Sequence, residues 1–301
     1  MYLLISVLPH LILLSKVADY DIETTRESLQ VENKQQVLLA FAWMTGVELN
    51  LLKRFPEFLA GDVTERTNRE KRGLFLLTGK DGNNRTFIAF HCYLPNSKTD
   101  TFDWLYRTAI PHLAGEKVIL RNQVFLSDGE DALFSPFVNL TQLDSPWKNS
   151  KHYRCSYHLI TQEWATHVAG KIKKTELGVE KVEQIRLWIN SLIHRVETTY
   201  QYNDSVAKLS EFIEASRGDI GESAHMQIKR IFFRSMHPIS STWAKSSSVG
   251  RMDLCQSTSS FCERCNRGLK EKHVALSLLN IDKSAEVAVD HSSDINTKIS
   301  M

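Results

Sequence analysis

The sequence predicts an α/β fold: a mixed sheet flanked by helices, with an α-helical insertion ahead of a last helix. Three observations carry this prediction. Short apolar runs of strand length alternate with stretches of helical spacing, the order of strands joined by helical crossovers. Two of the runs, Leu74 to Thr78 and Thr86 to Leu94, flank the turn-rich GKDGNN, which predicts a β-hairpin. Beyond about Thr161 the pattern turns almost wholly helical.

In chain order, residues 1–55 are expected to be an N-terminal helical segment, truncated at its start. Val37, Leu38, Phe41, Ala42, Leu49, Leu51 and Leu52 are dense apolar positions that end at Pro56. The opening MYLLISVLPHLILL resembles a secretory leader in its apolarity. However, no basic residue precedes the apolar run, Pro9 interrupts it and no small-residue cleavage pattern follows. It is also short for a membrane span.

Residues 56–160 are the expected core. EFLAGDVTERTN gives a strand ending at or just past Asp62, and the hairpin follows. Phe102, Leu105, Ala109 and Leu113 recur at helical spacing behind Thr99 or Asp100 as N-cap. Val124 to Leu126 form the next strand, which stops at Ser127 and meets Asp128, Glu130 and Asp131. A short helix from Ala132 and a strand through HYRCSYHLI complete the core. The crossover helix implies that the strands before Asp62 and Asp128 run parallel, with both acids at carboxyl ends, where ligands gather in such sheets.

Residues 161–250 are the helical insertion, in which Val182, Ile185, Ile189, Leu192 and Val196 mark one packed helix face. After the Ser-rich STWAKSSSVGRMDLCQSTSS, residues 251–283 resume as a helix through FCERCNRGLKEKHVALSLL. Residues 284–301 are polar, lack aromatics and are expected to be a disordered tail.

An apolar fraction of 42% is enough for a sizeable core, and a net charge of +2 neither requires nor excludes a nucleic-acid partner. Charge is uneven: Lys148 to Lys245 holds 15 Lys and Arg against 10 Asp and Glu, a mild basic bias. Five cysteines at irregular spacing cannot all pair, which points to a reducing compartment. The glycosylation-like triplets at Asn84, Asn139 and Asn203 are patterns that arise often by chance.

Two carboxylates sharing a pocket repel unless a cation or a proton sits between them. A pair of hard divalent ions about 4 Å apart is the usual answer in phosphoryl transfer, and a third carboxylate completes such sites. The hairpin-helix-strand order between Asp62 and Asp128 resembles that of an RNase H-like core. GDVTERTNREKRGLFLLTGKD, FLSDGEDALF, YRCSYHL and QSTSSFCERCNRGLK, in this order, resemble the catalytic domain of Mutator-like element transposases. The resemblance runs from roughly Pro56 to Lys270. It matches an Asp-x-Thr segment at Asp62 and Thr64, followed by Thr67 and Asn68. It matches a second acid at Asp128 with Ala132 and Leu133, a Cys-x-x-His at Cys155 and His158, and a Trp-Ala pair at Trp243. Last comes Glu-x-x-Asn-x-x-x-Lys at Glu263, Asn266 and Lys270. Glu65, Tyr157 and the Arg264-Cys265 pair depart from the family pattern.

The resemblance implies a transposase that cleaves DNA at element ends and transfers the strand to target DNA, in the nucleus. It implies catalysis at Asp62, Asp128 and Glu263, which would hold Mg²⁺ or Mn²⁺. Thr64, Asn68, Cys155, His158, Asn266, Arg267, Lys270 and Lys272 are expected to contact DNA or support the ligands. Glu263, Asn266 and Lys270 share one helical face by spacing alone. A composite zinc site of Cys155 and His158 with Cys262 and Cys265 is not expected, because a lone Cys-x-x-His supplies only half the ligands. A homo-oligomer stays open and no membrane partner is expected. The alternative is a domesticated, non-catalytic DNA-binding regulator or a decayed fragment.

Overall fold

The computed structural model describes the chain apart from residues 1, 5–10, 22–33, 129, 157, 160–167, 169–170, 172–174, 248–259, 273–277, 280 and 301. Residues 2–4, 11–21, 34–39, 260–263, 272, 281–282, 298 and 300 are described by backbone alone. The chain divides into two units. The first is Met1–Asn122, Asp131–Ser150 and Phe261–Met301; the second is Gln123–Glu130 and Lys151–Ser260.

The first unit is built on six strands: β1 (Tyr2–Leu4), β2 (Leu11–Asp21), β3 (Lys34–Thr45), β4 (Phe58–Thr64), β5 (Gly73–Lys80) and β6 (Thr86–Leu94). They lie in the order β1-β2-β3-β6-β5-β4. All the pairings described among them are antiparallel. The hairpin appears where the sequence predicts it. Its turn is tied by Asp81, whose carboxylate accepts the backbone N–H of Asn83 at 2.9 Å, that of Arg85 at 2.7 Å and the Arg85 guanidinium at 2.8 Å. Burial alone would push the Asp81 carboxyl up; these bonds outweigh it and hold it below the usual range. Gly79 is required beside the turn, because a Cβ there would stand 2.4 Å from the Phe87 ring.

The expected N-terminal helix is corrected. Residues 34–45 are strand, and only α1 (Gly46–Arg54) is helical. The run from Val37 to Met44 is apolar without a polar break, so its periodicity cannot separate a buried strand from a buried helix. Pairing decides: β3 is held by β2 on one side and β6 on the other. The apolar opening likewise enters strands β1 and β2. Among the described residues no helix is long and apolar enough to cross a membrane. The switch from strand to helix at Thr45 is local. Its hydroxyl accepts the Glu48 N–H at 3.2 Å, and Glu48 accepts the Thr45 N–H at 2.6 Å, a reciprocal cap.

Helices cover both faces. On one face the helical run α2 (Thr99–Trp104), the π turn Leu105–Ala109 and α3 (Ile110–Ala114) bury Phe102, Leu105, Ala109 and Leu113, the four residues picked out by spacing. The short α4 (Glu116–Ile119) and then α5 (Asp131–Thr141) follow. Tyr106 stacks edge-on against Phe75, Phe137 and Trp147. On the other face lie α10 (Ser260–Lys272) and α11 (Ile281–Ser300), where Cys265, Leu269, Ala285 and Ala288 pack with Trp43, Leu74, Leu76, Ile88 and Tyr93.

Helix α11 replaces the disordered tail expected for residues 284–301. Ala285, Ala288 and the partly buried Val289 and Ile295 give it a narrow apolar seam. Polar side chains do the rest. Tyr93 donates to the Ser284 hydroxyl at 2.8 Å, and Asn296 bonds both the N–H and the C=O of Ile88, at 3.1 and 3.0 Å. The β3–β6 ladder reaches only Trp43↔His91, so Asn296 supplies the bonds that a longer β3 would have made.

The second unit holds β7 (Val124–Ser127) and β8 (Lys151–Arg154), paired in parallel. The predicted strand through HYRCSYHLI is shorter than expected. It stops at Arg154, and the Leu159 N–H already bonds the Cys155 carbonyl at 3.1 Å in helical fashion. From Glu176 to Ser247 the chain is helical: α6 (Glu176–His194), α7 (Thr199–Ala215), α8 (Arg217–Ile220), α9 (Glu222–Lys229), then π and 3-10 turns. Val182, Ile185, Ile189 and Leu192 line one core with Leu209, Ile213, Phe232 and Trp243.

Candidate functional site

In the first unit, β4 carries Asp62 two residues before its end. Phe58, Leu59 and Ala60 bury the start of the strand, while Asp62 and Val63 are half-buried. Helix α10 carries Asn266, Arg267 and Lys270. Its apolar side is fixed by Cys265 and Leu269, so the spacing places these three on the opposite flank. Asp62, Val63, Thr64, Asn266, Arg267 and Lys270 line one cavity of about 260 Å³.

One contact organises it. The Asn266 amide donates from Nδ2 to Oδ2 of Asp62 at 2.7 Å. Asn266 is 6% exposed, and among the described residues its buried Oδ1 has no hydrogen-bond partner. Lys270 sits where burial pushes its ammonium below the usual lysine range and Arg66 adds to that, while Asp62 and Glu65 oppose it. A carboxylate, the amide that holds it and two cationic side chains therefore converge. A carboxylate oxygen suits a hard divalent cation such as Mg²⁺ or Mn²⁺ rather than a soft one. Among the described residues no three His, Cys, Asp or Glu side chains are placed to share a metal.

The other expected residues fall into three groups. Glu263 stands one turn before Asn266 on α10, and Lys272 ends the helix, but both side chains lie outside the described residues. Asn68 is buried, and its amide closes the turn after β4 by bonding the Arg72 C=O at 2.7 Å and the Arg72 N–H at 3.0 Å. That turns it inward, as a support for the loop leaving Asp62 and Thr64, rather than outward to DNA. Asp128, Cys155 and His158 belong to the second unit. There Ser127 and Arg154 are register partners, so Asp128 and Cys155 both follow the carboxyl ends of a parallel pair. The Asp128 carboxylate accepts the Glu130 N–H at 3.0 Å, and the Cys155 N–H bonds the Ser127 carbonyl at 2.7 Å. Of the cysteines weighed for zinc, Cys265 is buried and its thiol is pushed up to about 11 by burial; Cys262 lies outside the described side chains.

Sequence reasoning missed two buried polar groups. His152 bonds the Ser127 hydroxyl at 2.7 Å directly before Asp128, and burial, aided by Arg154, pushes its imidazole down to about 3, so it is neutral. Glu48 bonds His91 at 2.8 Å with both side chains buried, and the Trp43 ring stacks on His91. The Thr45-x-x-Glu48 cap was readable in the sequence; the partner 43 residues away was not.

Residues 20–109 match the family model of the RNaseH-like domain of zinc finger SWIM domain-containing protein 1/3. The fold is RNase H-like. The matched stretch runs from the end of β2 through the π turn and contains Asp62, whereas Asp128 and α10 lie beyond it. No curated protein matches the chain.

Proposed function

We propose that this RNase H-like chain is a transposase catalytic domain of the Mutator-like element type, acting on DNA at element ends and on target DNA in the nucleus. The observation that carries the reading is the Asp62 carboxylate held by Asn266 in a cavity shared with Arg267 and Lys270. On the resemblance to Mutator-like transposases, Asp62, Asp128 and Glu263 would hold Mg²⁺ or Mn²⁺, which would supply charge stabilisation for phosphoryl oxygens in strand cleavage and transfer. Asn266 holds the Asp62 carboxylate through its Oδ2. Arg267, Lys270 and Lys272 neutralise the DNA backbone, a sequence-independent contact. His158 and Cys155 support the Asp128 loop.

The test compares single-strand cleavage of element-end DNA by the wild type, Asp62→Asn, Asp128→Asn and Glu263→Gln with Mg²⁺ or Mn²⁺. Loss of cleavage in all three variants, with folding intact, supports the ligand set. Undiminished cleavage in any one removes that residue. A second reading is a domesticated, non-catalytic DNA-binding regulator. It is favoured by the match to zinc finger SWIM domain-containing proteins rather than to a transposase. Salt-dependent DNA binding by a wild type that never cleaves would decide for it.

A further inference from the structure

The C-terminal helix packs on α10 through Ala285 and Ala288 and adds a hydrogen bond beside the candidate site. His291 on α11 is 5% exposed, and its Nε2 lies 3.0 Å from the carbonyl oxygen of Cys265, the residue next to Asn266. One turn of α10 further on is Gly268. A Cβ there would stand 3.1 Å from Cε1 and 3.6 Å from Nε2 of the same ring, the contacts it would make within 4 Å among the described residues outside its own helix backbone. The imidazole thus fills the space that a side chain on α10 would need. At its own end α11 is fixed to the sheet by Tyr93–Ser284 and by both Asn296 bonds to Ile88.

We propose that α11 is a strut for the site, with His291 as the positioning residue that sets the rotation of α10 and so aims Asn266 at Asp62. A helix lying on an apolar seam of Cys265 and Leu269 is free to roll by small angles, because dispersion contacts are individually weak and non-directional. A hydrogen bond to a backbone carbonyl removes that freedom, since its geometry weakens steeply with angle. Glycine at 268 lets the ring approach closely enough to make it. The functional consequence rests on the reading of Asp62 and Asn266 given above; the strut itself does not.

The test uses the full ¹⁵N-labelled chain and reads the side-chain amide resonance of Asn266, assigned by its loss in Asn266→Asp. In the wild type the amide is bonded to a carboxylate and is displaced from the position of a water-exposed asparagine. His291→Ala should bring it toward that position, and His291→Gln, which retains a donor, should restore part of the displacement. Gly268→Ala should move it too, although alanine favours the helix, and adding Gly268→Ala to His291→Ala should move it no further. In cleavage assays His291→Ala should lower kcat by roughly ten- to a hundredfold with KM little changed, as misplacement does. An Asn266 resonance unmoved in folded Gly268→Ala and folded His291→Ala overturns the strut. If His291→Ala fails to fold, Gly268→Ala and His291→Gln decide alone. A moved resonance in a chain whose wild type never cleaves DNA keeps the strut and removes the catalytic reading.

Discussion

Asp62 and Glu48 show how two carboxylates in one unit are put to different uses. Asp62 is half-buried on a cavity wall and keeps one oxygen bonded to Asn266. A hydrogen bond to a charged group contributes about 1.5–3 kcal/mol and a neutral one about 1 kcal/mol. Asp62→Asn is therefore expected to cost about 1 kcal/mol in urea unfolding while abolishing cleavage; a collapse of the fold would show that Asp62 is structural. Glu48 is fully buried. Burial would push its carboxyl up, but the charge and hydrogen bond of His91, the Thr45 amide and the Ser292 hydroxyl together hold it below the usual range. A folded-state pKa lowered from an unfolded value of about 4.3 stabilises the chain above that value. The contribution is lost as pH falls through the folded pKa. Stability should thus decline below about pH 4.3, and the decline should be shallower in Glu48→Gln. His91→Ala leaves a buried carboxylate without its partner and should cost about 3–5 kcal/mol by denaturant melts.

At the scale of elements, α11 decides whether the chain ends in structure. A disordered tail would be removable without consequence. A helix that bonds Ile88 twice is not, because its removal leaves a buried N–H and C=O unpaired beyond the end of β3. Asn296→Ala should cost about 1–3 kcal/mol for each of the two backbone groups it strands. Hydrogen exchange should quicken at the Ile88 amide before it quickens at Leu76. Equal exchange at both sites in Asn296→Ala would show that Asn296 is dispensable to the ladder.

Across the whole molecule, a net charge of +2 gives DNA no strong general pull. On the proposed reading, DNA binding would come from local cations such as Arg267 and Lys270, which line the cavity. Each phosphate contact contributes a slope of about −0.9 to log K against log salt on duplex DNA. Lys270→Ala should flatten the slope by about one such contact and weaken all DNA sequences alike. A loss confined to one sequence would assign Lys270 to base reading instead.

The sequence by itself determined what short-range spacing encodes. The hairpin around GKDGNN, the helix of Phe102, Leu105, Ala109 and Leu113, the strand before Asp62 and the polar flank of α10 all follow from alternation or from steps of three and four residues. Tertiary structure decided what depends on partners far along the chain. The apolar run of β3 is strand because β2 and β6 hydrogen-bond both its edges. Polar residues 284–300 are helix because Tyr93 and Ile88 satisfy their side chains. Asn68 faces inward because Arg72 takes both ends of its amide. Asn266 meets Asp62 across 204 positions. Spacing reports only which residues share a face; which face is covered, and by what, is set by long-range pairing and burial.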